Sequence, residues 1–260
     1  MAAVDREARV LAAINKVASA EGVPVGVRHV CLACAAAVQA SGVGLYLMSE
    51  LGLCEPLYVT NRVSEQVAEL QVMLGEGPGT GALGEDHPVL VPALGSDSSV
   101  QRWPAFAPAA LAAGVLAVFA FPLVMGAIAV GALEIHRGRE GELTAAELAE
   151  ALLFAEAVLP RVLDHLSGSD TVEGPELPSS GFEYRWAEVH QATGMVSVQL
   201  GSDLTVAFLR LRAHAYLTGR RLSQVAREVV ERRLRLDPDT TTQVQRAPAA
   251  EIRNGAQGDV

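Results

Sequence analysis

The chain has 260 residues, half of them hydrophobic and 19% charged, with a formal net charge of −10. That composition is globular and excludes an intrinsically disordered chain, and three cysteines are too few and odd in number to make a disulfide framework. The length accommodates one large or two ordinary domains.

The N-terminus lacks the charged, apolar and small-residue sections of a signal peptide, so the protein is expected in the cytoplasm. Val4, Ala8, Leu11, Ala12, Ile14 and Ala18 recur near helical spacing and predict a helix over 4–20. A second apolar helix follows over 24–40. It carries Cys31 and Cys34 as a C-x-x-C among Val30, Leu32, Ala33 and Ala35, which reads as core; a thiol switch is the alternative, and no second Cys/His pair stands at metal-ligand spacing. Val43 to Met48 and Pro56 to Thr60 read as two strands around a turn at 49–52, and Ser64 is a candidate N-cap for a helix over 65–74. A loop rich in glycine, 75–81, comes next, then a short strand at 89–91 and a short helical stretch over 103–113.

The longest apolar run, Leu111 to Leu133, carries no charge. Gly114, Pro122, Gly126 and Gly131 divide it, and its Val, Phe and Ile residues favour strands, so two buried strands joined at Met125-Gly126 are expected, not a membrane span. Thr144 with Glu147 at N3 forms a capping box that opens a helix to about Leu166. This order predicts an α+β domain, a mostly antiparallel sheet with helices on one face.

The segment Leu74-Gly75-Glu76-Gly77-Pro78-Gly79-Thr80-Gly81-Ala82 resembles the Gly-Pro loop of GAF domains. Arg102-Trp103-Pro104-Ala105-Phe106, followed by Val118 to Leu123, is similar to the approach to their central strands. The resemblance covers about residues 20–166 and implies a sensor module that binds a small molecule or a protein signal, or that dimerises. The glycines of the loop serve either a turn with positive φ or an anion cradle. Arg102 and Trp103 are the candidate ligand-binding residues; Trp103 also reads as core. Some GAF-fold proteins reduce methionine sulfoxide with cysteine, which makes a thiol-based sensor or reductase one alternative function; no basic residue adjoins Cys54 to activate it, and no catalytic motif is present, so no enzyme, cofactor or metal site is expected.

Residues 167–181, SGSDTVEGPELPSSG, read as a linker, and from Asp237 the composition turns to that of a disordered tail. Between them the charge reverses. Residues 1–181 hold 9 basic and 21 acidic groups, whereas 182–235 hold nine arginines against 5 acidic groups. Three amphipathic helices are predicted: Trp186, Val189, Thr193, Val196 and Leu200, stopped by Gly201; Leu204, Ala207, Phe208, Leu211 and Ala215, with Ser202 as cap; and Leu222, Val225, Ala226, Val229 and Val230. Together they predict an all-α three-helix bundle over 182–236.

Val189-His190-Gln191-Ala192-Thr193-Gly194-Met195-Val196, Ala207 to Ala215, and Leu222-Ser223-Gln224-Val225-Ala226 resemble, in order and spacing, the ANTAR domain. The resemblance implies binding to RNA hairpins and transcription antitermination; the long helix from Thr144, the linker and the charge split add the expectation of a homodimer gated by the first domain. Where that family has Ala-Lys-Gly, this chain has Ala192-Thr193-Gly194. Arg210, Arg212, Arg220, Arg221, Arg227 and Arg232 are candidates for phosphate contact, and His214 and Tyr216 for base stacking. The plainer reading of these arginines is a solvated face with pairs such as Arg227–Glu231 and Glu228–Arg232. A dimeric scaffold for protein partners is the other alternative function.

Overall fold

The computed structural model describes residues 2–49, 54–85, 87–167 and 182–237. The expected linker and tail, apart from Ser167 and Asp237, and most of the turn at 49–52 fall outside them. The elements in chain order are α1 (Ala2–Glu21), α2 (Val27–Ala37), β1 (Gly42–Met48), β2 (Cys54–Val59), α3 (Arg62–Leu74), α4 (Pro78–Glu85), β3 (Val89–Val91), α5 (Asp97–Arg102), α6 (Phe106–Ala112), β4 (Ala117–Met125), β5 (Ile128–Arg137), α7 (Ala145–Leu166), α8 (Phe182–Leu200), α9 (Leu204–Leu217) and α10 (Leu222–Val230).

The five strands form one sheet in the order β2-β1-β5-β4-β3, and every neighbouring pair is antiparallel. The long apolar run therefore supplies the end of α6 and most of two interior strands, which turn at Gly126 with φ +66°. No helix among the described residues is long and apolar enough to cross a membrane.

Helices cover both faces of this sheet, not the one face expected. The alternation of side chains explains why. Leu45, Phe119, Phe121, Leu133 and Ile135 point to one side and pack with Cys31, Cys34, Phe154 and Val158 of α2 and α7. Tyr46, Val118, Ala120 and Ala132 point to the other and pack with residues of α3, α4 and α6. Central strands apolar on both faces require two covering layers. Each large apolar side chain fully buried contributes about 1.5–3 kcal/mol.

Local chemistry sets the helix ends. Thr144 and Glu147 make the expected capping box: the Glu147 N–H donates to Thr144 Oγ1 at 3.2 Å and the Thr144 N–H to Glu147 Oε2 at 2.8 Å. The cap of α3 is Asn61, not Ser64. Asn61 Oδ1 accepts the N–H groups of Val63 and Ser64 at 3.0 Å each, so the helix starts three residues earlier than expected. Likewise Asp203, not Ser202, caps α9 by accepting the Val206 N–H at 2.8 Å.

The bundle α8–α10 has the three helices expected, with Gly201 and Gly219 at φ +61° and +62° where the first two end. It is not held apart. Its buried Trp186, Val189, Phe208, Leu211 and Val225 belong to one continuous core with the α3–α4 face of the sheet.

Candidate functional site

Two polar centres lie on the α3–α4 side. The first is sealed under the Gly-Pro segment, which is not a loop beyond Gly77. Pro78 opens α4, where a residue with fixed φ and no N–H is favoured. Gly75, with φ +70°, ends α3, and Gly77 has φ +141°. Gly79 and Gly81 are helical, so only part of the run serves a left-handed turn.

Beneath α4 lies Glu134, fully buried on β5. Gln71 Nε2 donates to its two oxygens at 3.1 and 3.0 Å, and the Tyr46 hydroxyl donates to Oε1 at 3.2 Å. The Gly79 N–H donates in turn to Gln71 Oε1 at 2.8 Å. A Cβ on Gly79 would stand 3.1 Å from Glu134 Oε2, and one on Gly77 would stand 2.5 Å from Gln71 Oε1. These glycines are there for close approach as much as for φ. Gln71 Oε1 thus takes the Gly79 N–H that a cradle would offer to an anion. Burial pushes Glu134 up to about 7, against the pull of its hydrogen bonds from Gln71, Tyr46 and Gly79. His136, on the same sheet face, is driven down to about 4 by burial.

The second centre joins the first domain to the bundle. Glu65 and Glu69 stand one turn apart on α3, and both are buried. The Arg185 guanidinium grips Glu65 with two contacts, 2.8 and 2.7 Å. Arg221 pairs with Glu69 and reaches Glu65 Oε1 at 3.4 Å. Glu69 Oε1 also accepts the Ser223 N–H at 2.8 Å. Ser223 lies in the first turn of α10, whose N-cap residue, Arg221, has no side-chain acceptor to offer. A carboxylate from the first domain thus caps a helix of the second, where both the free N–H and the helix dipole favour negative charge. Arg212 completes the joint: its Nε–H donates to the Met73 carbonyl at 3.1 Å, and its guanidinium lies 5.8 Å from the Phe208 ring centroid. A Cβ on Gly75 would come within 2.6 Å of that guanidinium.

The predicted RNA-contact residues divide. Arg212 and Arg221 are in the joint. Arg220 makes a two-point pair with Glu228, at 2.6 and 2.9 Å, and Arg227 pairs with Glu188 at 3.3 Å. The expected Arg227–Glu231 and Glu228–Arg232 pairs do not form, because α10 ends at Val230 and Arg232 turns back with φ +60°. Arg220, Arg221 and Arg227 line one cleft. On α9, Arg210 is half-buried, His214 is half-buried with its pKa lowered by burial and by Arg220, and Tyr216 is exposed. Arg232 is exposed. Thr193 packs inside the bundle and donates to the Val189 carbonyl at 2.8 Å.

Glu65, Glu69, Arg185 and Ser223 were not singled out from the sequence. Two glutamates at i,i+4 on α3 are a legible pattern, but their burial depends on arginines more than a hundred residues away.

Of the ligand-binding candidates, Trp103 is buried in the core, and the exposed Arg102 lies over its ring at 4.6 Å while pairing with Glu85. All three cysteines are buried and remain thiols: burial raises Cys31 and Cys34 well above the usual range and Cys54 to about 12.

No protein-family model and no curated protein matches the chain. Among solved structures, it is similar to the GAF domain of a phosphoenolpyruvate-protein phosphotransferase from Acinetobacter, at 14% identity over 65% of this chain and 98% of that one, with a TM-score of 0.48. The corresponding GAF domain from Coxiella burnetii gives 13%, 63%, 98% and 0.46. A type II free methionine-R-sulfoxide reductase from Thermoplasma acidophilum gives 14%, 53%, 96% and 0.39.

Proposed function

We propose that the chain is a signal-responsive RNA-binding regulator, in which a GAF-like domain restrains an ANTAR-like bundle and releases it to bind RNA hairpins and favour antitermination. The observation that carries this reading is the joint itself. Arg221 and Arg185, from the cationic module, are held by two buried carboxylates of an otherwise acidic domain, as phosphates would hold them. Such a contact makes the docked state and the RNA-bound state compete for the same guanidinium groups. A signal acts by binding the first domain with different affinity in the two states.

A homodimer belongs to the same proposal, and exposed Leu11 on α1 and Leu152 on α7 offer apolar surface for it. We assign the protein no catalytic step: its thiols are buried, which disfavours the reductase reading.

The test is selection of RNA hairpins from a random pool by the intact chain, followed by a salt series with Arg227→Ala. Recognition predicts enrichment of hairpins sharing a loop, and affinity that falls steeply with salt, with a slope of about −0.7 per phosphate neutralised in single-stranded RNA. Arg227→Ala should make that slope shallower by about one phosphate's worth. No enrichment even at low salt, together with salt-insensitive capture of protein partners, would replace this reading with the scaffold one.

A further inference from the structure

Where the start of α3 meets the bundle, an open cleft of about 780 Å³ is lined by six arginines, Arg62, Arg185, Arg220, Arg221, Arg227 and Arg233, and by only two glutamates, Glu65 and Glu228. The volume lies in the range of small-ligand sites, but the lining is polar and cationic, not apolar. Five of the arginines come from the bundle and one from α3.

The charges are not used equally. Glu65 is engaged by Arg185 and Arg221, and Glu228 by Arg220; just outside the lining, Glu69 pairs with Arg221 and Glu231 with Arg233. Arg62, exposed at the first position of α3, makes no ion pair or hydrogen bond among the described residues. Arg227 meets Glu188 only through Nε, at 3.3 and 3.4 Å. Asn61, Gln224 and Ser223 add neutral polar groups to the wall. A concave surface with converging guanidinium groups focuses positive potential and suits an anion with several clustered charges and many acceptor oxygens.

We propose that this cleft is a binding site for a free oligophosphate, the chemistry presented by a polyphosphate or a nucleotide tail. Its walls come from both units, so the complete site exists only while the bundle is docked on α3. An oligophosphate bridging Arg62 to Arg220 and Arg227 stabilises the docked state. If the RNA reading is right, linkage requires that this anion and a hairpin weaken each other's binding, each by the same factor. The site itself does not depend on that reading.

The experiment titrates the intact chain with inorganic tripolyphosphate at low salt by calorimetry, beside Arg62→Ala, which touches none of the docking contacts. Saturable one-to-one binding, weakened about tenfold by Arg62→Ala as expected for loss of one charged contact, supports the site. Binding without saturation, or equal affinity in the variant, overturns it. A hairpin arm separates the sources. Hairpin affinity unchanged by Arg62→Ala but reduced by tripolyphosphate identifies a free oligophosphate as the ligand. A tenfold loss of hairpin affinity in Arg62→Ala would put RNA phosphates in the docked cleft and overturn the free oligophosphate as its ligand. Tripolyphosphate binding with no hairpin binding at all retains the cleft and removes the RNA function.

Discussion

On one side of the sheet, α1, α2 and α7 close over Leu45, Phe119, Phe121, Leu133 and Ile135. On the other, α3 and α4 close over Tyr46, Glu134 and His136, with Gln71 of α3 reaching in, and α3 goes on to present Glu65 and Glu69 to the bundle. The first side is an apolar interior; Arg137 and His29 are buried in it, and its thiols Cys31 and Cys34 stay neutral because burial raises them. It has one good packing, and disturbing it costs stability under all conditions. The second side keeps polar and ionisable groups where apolar ones would pack as well. Burying them is costly unless every partner is in place, so this side has alternatives that depend on pH, salt and ligands. The comparison separates a support from a device.

Phe154→Ala should have the largest effect on this contrast. It empties a fully buried site on the apolar side and should cost about 3–5 kcal/mol in urea unfolding, with no special dependence on pH.

Glu134→Gln should come next, and only in certain pH ranges. In the folded protein Glu134 titrates near 7 instead of 4.5, so the stability it contributes is complete below about pH 4.5 and is lost as pH rises through 7. The full span is on the order of 3 kcal/mol. His136, lowered from 6.5 to about 4, has the opposite sign: its contribution is present above 6.5 and is lost as pH falls toward 4. In the native chain the two slopes offset each other between pH 4.5 and 6.5. Glu134→Gln should therefore be more stable than the native chain at pH 8, and should lose stability steadily below pH 6.5. Urea unfolding across pH 4.5–8 shows whether it does; parallel curves for the two proteins would mean that Glu134 stays ionised in the fold.

Glu69→Ala should cost about 1–3 kcal/mol through the orphaned Ser223 N–H and the freed Arg221. Its mark is regional. Amide exchange should accelerate at the start of α10 and leave β4 and β5 unchanged. Uniform acceleration would mean that the two sides are not separable.

Arg227→Ala should be the smallest in stability, about 1 kcal/mol, because its guanidinium is half exposed and meets the buried Glu188 only at 3.3 Å. A larger loss in thermal unfolding would make that pair part of the bundle's framework.

The apolar side was largely legible in the sequence because period-2 and helical repeats report burial directly: α7 matches at its cap and its end, and β4 and β5 turn at Gly126 as expected. The three bundle helices were legible for the same reason. The second side was less so. Asn61 competed with Ser64 for a cap, and Asn can reach two N–H groups where the choice from spacing saw only a serine. The Gly-Pro run was read as loop because glycine there serves close approach to Gln71 and Glu134, which no local pattern reveals. The joint was invisible, since the burial of Glu65 and Glu69 is set by Arg185 and Arg221 across the linker. The arginine cluster pointed to an anionic partner, and the structure places one within the same chain.

The most direct measurement is hairpin affinity as a function of salt for the native chain and for the double variant Glu65→Ala, Glu69→Ala. If these carboxylates hold the bundle in competition with RNA, the variant binds at least about tenfold more tightly at low salt. Its salt slope is also steeper, because in the native chain added salt loosens the restraining pairs as well as the RNA contacts. Equal affinity and equal slope in the two proteins would contradict the account and leave the joint a structural contact only.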